Sequence, residues 1–86
     1  MQIVVYTRRG CHLCDVVLDQ LQELRHEFDI NVQEIDVDTE GALQESYGEQ
    51  VPVVMINGKI RFRGRVNEVL LKRMLRAETF RRREAH

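Results

Sequence analysis

"QIVVYTRRGCHLCDVVLDQL", residues 2–21, contains a change of period that decides the fold. Gln2–Thr7 is a β-branched and aromatic run of the kind that fills a buried strand. From Cys11 onward the pattern is helical. Cys14, Val17, Leu18, Leu21, Leu24 and Phe28 recur at steps of three and four and make one apolar face. Asp15, Asp19, Gln22, Glu23 and His26 point elsewhere. A strand thus passes through Arg8, Arg9 and Gly10 into a helix, and the chain's two cysteines stand at the junction.

The alternation continues downstream. In "INVQEIDVD" (30–38) the apolar residues are Ile30, Val32, Ile35 and Val37, which predicts a second strand with one irregularity near Gln33 or Glu34. "DTEGALQESYG" (38–48) predicts a short helix, with Asp38 and Thr39 as capping candidates and Gly48 as a left-handed stop. "VPVVMINGKIRFRG" (51–64) predicts a hairpin. Val53 to Ile56 is apolar, Asn57-Gly58 is the preferred two-residue turn, and Ile60 and Phe62 alternate with Arg61 and Arg63. Asn67 then caps a last helix with the stripe Val66, Val69, Leu70, Met74 and Leu75. The domain is expected to span 1–78, with "TFRRREAH" (79–86) a polar, basic, frayed tail.

The order β-α-β-α-β-β-α follows. The first crossover should give a parallel pair and the hairpin an antiparallel one. The expected fold class is α/β: a four-stranded mixed sheet flanked by three helices on both faces.

The whole chain has 86 residues, enough for one small domain. "MQIVVYT" is far too short for a signal peptide or a spanning helix, and no basic region precedes it. The expectation is a soluble, cytoplasmic monomer. The net charge of −1 hides an asymmetry. Residues 1–58 carry about −8 and residues 59–86 about +7. Such segregation marks either a basic patch for an anionic partner or charge that is neutralised across the fold and solvated. Arg81 to Arg83 lack an aromatic platform or recognition helix, so nucleic acid is not the expected partner.

In a reducing compartment a C-x-x-C pair points to redox chemistry or metal binding rather than a permanent staple. At the junction, Cys11 opens the helix and Cys14 follows one turn on, within disulfide reach. The helix N-terminus favours an anion, and Arg8 and Arg9 add positive charge. Cys11 is therefore the expected exposed nucleophile. Cys14 lies on the apolar stripe and is the expected resolving thiol. Structural zinc needs four ligands, and His26 and His86 are single and distant, so no metal site is assigned. An iron–sulfur cluster shared between two chains, each lending one thiolate, stays open as an alternative, as does a partner-docking module.

Three segments in order carry a resemblance. "VVYTRRGCHLC" (4–14), "VPVVMING" (51–58) and "RGRVNEVLL" (63–71) together resemble the glutaredoxin branch of the thioredoxin-like superfamily. The likeness covers residues 2 to about 76 and is nearest to small glutaredoxin-like proteins, whose function is often unassigned. It implies a minimal thioredoxin-like fold and dithiol thiol–disulfide oxidoreductase activity, with no bound cofactor. It implies Cys11 as nucleophile and Cys14 as resolving cysteine. Arg8 matches a basic residue that neutralises a glutathione carboxylate. Val51 and Pro52 match a dipeptide beside the active site, with Pro52 cis and the backbone of Val51 pairing with an extended thiol peptide. Gly64 and Arg65 match the glycine-containing lead-in to the last helix.

The chain also departs from the family. His12 and Leu13 replace the usual proline and tyrosine between the cysteines. Arg63 replaces one of two paired glycines, and Val66 and Asn67 stand where acidic residues hold the glutathione amino end. His12 reads either as an imidazole that assists the thiolate or as a solvent-facing first-turn residue. The expected substrate is a disulfide-containing protein or a glutathione-type thiol, with slow turnover of glutathione.

Overall fold

The computed structural model describes residues 1–84, with side chains through Arg81. The strands are β1 (Gln2–Thr7), β2 (Asn31–Asp36), β3 (Val53–Ile56) and β4 (Lys59–Arg63). The helices are α1 (His12–Leu24), α2 (Gly41–Tyr47) and α3 (Glu68–Glu84). A 3-10 turn, Val37–Thr39, separates β2 from α2. The sheet order is β2-β1-β3-β4; β2 is parallel to β1, and β3 and β4 are antiparallel to their neighbours.

Alternation along the strands sets the layers. Ile3, Val5, Val54 and Ile56 face α1 and α3 and meet Val17, Leu21, Leu24, Leu71 and Leu75 in one core. Tyr6 points to the opposite face and stacks on Tyr47 of α2, with ring centroids 4.8 Å apart. The sheet is therefore covered on both sides, as the periodicity predicts. Asn57 and Gly58 both have positive φ, 49° and 84°, and close the hairpin in the primed turn that matches strand twist. Asn67 Oδ1 accepts the Leu70 N–H at 3.1 Å and caps α3.

Several expectations are corrected. β2 is shorter than 30–38 and pairs in continuous register from Gln2↔Asn31 to Thr7↔Asp36, with no irregularity near Gln33 or Glu34. Ile30 and Val37 are buried core residues just outside it, which extends the apolar alternation past the strand. α1 ends at Leu24; Phe28 is buried from the following turn rather than from the helix. Neither Asp38 nor Thr39 caps α2: its N-cap is Glu40, which makes no side-chain capping bond, and Asp36 caps the preceding 3-10 turn by accepting the Asp38 N–H at 2.9 Å. Gly48 is right-handed, φ −52° and ψ −38°, not a left-handed stop. On α3 the fully buried residues are Leu71 and Leu75, whereas Val69 and Leu70 are exposed. α3 runs to Glu84, into the stretch expected as a frayed tail, whose last residues, Ala85 and His86, lie outside the described residues. No helix among the described residues is long and apolar enough to cross a membrane.

Candidate functional site

β1 ends in buried Thr7, whose hydroxyl donates to the Glu34 carboxylate at 3.1 Å. The chain then turns through Arg8–Gly10. Gly10 has φ +79°, a left-handed conformation that side chains resist and glycine adopts freely. Cys11 follows as the N-cap of α1, in extended backbone geometry. Its sulfur takes the place of the usual capping oxygen and accepts the Cys14 N–H at 3.1 Å. The Cys11 N–H donates back to the Arg8 carbonyl at 3.2 Å, which tightens the turn.

Cys11 and Cys14 form a disulfide, with Cα atoms 5.3 Å apart. Helical spacing places both sulfurs on one side of the first turn. Their surroundings differ, for Cys14 is 1% exposed and packs with the core side of α1, while Cys11 is partly exposed. Between them His12 is exposed to solvent.

The ladder brings the second and third segments to this end of the sheet. Val53 pairs with Tyr6, so Pro52 follows at the level of Thr7. Arg63 pairs with Val53, which brings Gly64 there as well. The Val51–Pro52 peptide is cis and Pro52 is buried. Gly64 has φ +75° and its N–H donates to both Gln50 O (3.0 Å) and Pro52 O (2.8 Å). Val51 is half-buried, and its own N–H and C=O have no hydrogen-bond partner among the described residues. Arg65 and Arg9 are exposed. Cys11, Cys14, Val51, Pro52 and Gly64 thus converge from three separate stretches of chain.

Arg8 reaches back across the fold. Its Nε and Nη2 each donate at 3.0 Å to the two oxygens of Asp38, a bidentate pair, and Nη1 donates at 3.0 Å to the carbonyl of Gly48. The hydrogen bonds that Arg8 donates to Asp38 raise its pKa above the usual value. The same bonds, with help from Gln44, hold the Asp38 carboxyl below its usual range. Gln44 Nε2 donates to Asp38 at 2.8 Å. Asp38, Gly48 and Gln44 are site-forming residues that sequence reading missed. Asp38 looked like a helix cap, and no local spacing announces a partner thirty residues upstream.

A family model, the glutaredoxin-like domain (DUF836), matches residues 2–76. The chain belongs to this glutaredoxin-like family. The protein is 32% identical over 84 residues to the uncharacterized protein Rv0508 of Mycobacterium tuberculosis, covering 92% of this chain and 87% of that one. Among solved structures, protein Ne2328 of Nitrosomonas europaea matches at 28% identity and a TM-score of 0.73, over 86% of this chain and 89% of that one. A mutant thioredoxin from Halobacterium salinarum matches at 26% identity and a TM-score of 0.65, over 88% of this chain and 72% of that one. The fold of this glutaredoxin-like protein is therefore thioredoxin-like, and its cysteine pair stands at disulfide distance at the start of α1.

Proposed function

We propose that this glutaredoxin-like protein is a dithiol thiol–disulfide oxidoreductase. The observation that carries the reading is the Cys11–Cys14 disulfide, held at a helix N-terminus beside the Val51–Pro52 turn. In the reduced protein the Cys11 thiolate attacks one sulfur of a substrate disulfide. A mixed disulfide forms at Cys11, and the other substrate sulfur leaves as a thiolate that takes a proton from solvent. The Cys14 thiolate then attacks Cys11 Sγ, releases the second substrate thiolate and closes the Cys11–Cys14 disulfide. Two electrons pass from the protein dithiol to the substrate, and a thiol reductant restores them.

The order of attack follows from access and from hydrogen bonding. Cys11 is reachable, and the Cys14 N–H lies 3.1 Å from its sulfur, where it favours negative charge. Cys14, at 1% exposure, meets only a sulfur already delivered to Cys11. The unpaired backbone of Val51 suits an extended polypeptide next to the sulfurs. Gly64 supports that turn and Arg65 lies beside it; His12 is assigned no step. The partner is a disulfide-bearing protein, with glutathione a poorer co-substrate, and the cytoplasm is the compartment that would keep the pair reduced.

Titration with a dithiol redox buffer tests the reading. Reduction should expose two thiols per chain, reoxidation should remove both, and turnover of a protein disulfide should require both cysteines. Protein that purifies with iron and visible absorbance, and that turns over no disulfide, would overturn it in favour of a cluster-carrying module.

A further inference from the structure

Arg8 is a cation placed in the turn that leads to Cys11, yet its charge is answered inside the protein. Asp38 takes the two-pronged face of the guanidinium, the face that would otherwise accept a ligand carboxylate. Gly48 takes a third donor. Glu49 and Asp36 add negative potential to the same neighbourhood. Gln44 Nε2 also donates to Asp38 Oδ1, so the carboxylate does not depend on Arg8 alone for its position. Exposed Arg9 has no such carboxylate partner among the described residues.

We infer that Asp38 is a specificity-determining residue: by holding Arg8, it denies small carboxylate-bearing disulfides an anchor in the turn that leads to Cys11 and leaves the site to polypeptide disulfides that dock through backbone. Asp38 acts as a tethered stand-in for a ligand carboxylate, and a free carboxylate at millimolar concentration competes poorly with one held in place. The inference rests on the oxidoreductase reading for its biological sense, but its physical content can be read without turnover.

The test uses the reduced protein with Cys14→Ser, so that Cys11 is the reacting thiol. Alkylation rates at Cys11 are measured with iodoacetate, an anion, and iodoacetamide, its neutral counterpart. Asp38→Ala should raise the iodoacetate-to-iodoacetamide ratio by about threefold, as expected for one newly available unit charge inside a Debye length. Adding Arg8→Gln to Asp38→Ala should return the ratio to its starting value. If Asp38→Ala does not fold by circular dichroism, Asp38→Asn removes the charge with less disturbance and is read in the same way. An unchanged ratio, or a gain that survives Arg8→Gln, overturns the inference. In the protein with both cysteines, Asp38→Ala should speed reduction of dithiodipropionate relative to bis(hydroxyethyl) disulfide by a similar factor. Failure of the parent protein to turn over a protein disulfide, with the alkylation ratio still raised by Asp38→Ala, would sink the oxidoreductase reading and leave this inference standing. Normal turnover with an unmoved ratio would do the reverse.

Discussion

Replacing Gly48 by alanine should destabilise the protein, although the same change at Gly41, at the other end of α2, should stabilise it. Two effects compete at Gly48. Its backbone is right-handed, φ −52° and ψ −38°, so alanine fits the conformation and removes freedom from the unfolded chain. That alone would stabilise by about 0.4–1 kcal/mol. Against it, the new Cβ would lie 2.5 Å from the Gln44 carbonyl oxygen and 3.2 Å from Arg8 Nη1. The Gln44 oxygen is backbone and already accepts the Gly48 N–H at 2.9 Å, so relief means stretching the last turn of α2. Forcing a methyl group into such a contact costs roughly 1–3 kcal/mol. The clash wins, with a net loss of about 1 kcal/mol and a Tm lower by about 4–8 °C for a domain of this size. At Gly41 nothing lies within 4 Å of the added Cβ, so Gly41→Ala keeps only the favourable effect. Thermal unfolding followed by circular dichroism reads both variants. A Gly48→Ala protein as stable as the parent would refute the close-approach argument.

Leu71 is fully buried and Leu70 is 42% exposed, so Leu71→Ala should cost about 2–5 kcal/mol in denaturant unfolding and Leu70→Ala should cost far less. The Asp38 carboxyl is held below its usual value of 3.8, chiefly by the Arg8 hydrogen bond, so its stabilising effect is complete above that pH and is lost as pH falls through the depressed value. The stability gap between the parent and Asp38→Asn should therefore be constant at neutral pH and shrink only below about pH 4; a gap that closes between about pH 5 and 7 would contradict the assignment. Brief alkylation of the reduced protein at mildly acidic pH, read by peptide mass spectrometry, should label Cys11 ahead of Cys14, because Cys14 is 1% exposed. Preferential labelling of Cys14 would reverse the two roles.

Much of this structure is legible in local sequence because local sequence causes it. The switch from β-branched alternation to a three-and-four spacing around Cys11 fixes β1 and α1. Asn57-Gly58 fixes the hairpin, and Asn67 fixes the start of α3. The errors fall where one residue type serves two purposes. Val37 continues the alternation of a strand but is buried from a 3-10 turn. Gly48 is a glycine for want of space and not for a left-handed backbone. Leu70 and Leu71 are chemically identical neighbours, and only the crossing of α3 over the sheet decides which is inside. The cysteine pair was readable because all its parts lie within one turn of helix. The Arg8–Asp38–Gly48 network was not, since its members are joined only by the fold.

Trapping of a covalent intermediate shows whether Cys11 attacks and Cys14 resolves. Reduced Cys14→Ser protein is mixed with a disulfide-bonded protein and analysed by mass spectrometry without reductant. A one-to-one covalent adduct through Cys11, released by dithiol, is the predicted result, and the protein with both cysteines should hold no lasting adduct because Cys14 resolves it. An adduct yield no higher than that of a Cys11→Ser control, or adducts that persist equally when Cys14 is present, would contradict the account.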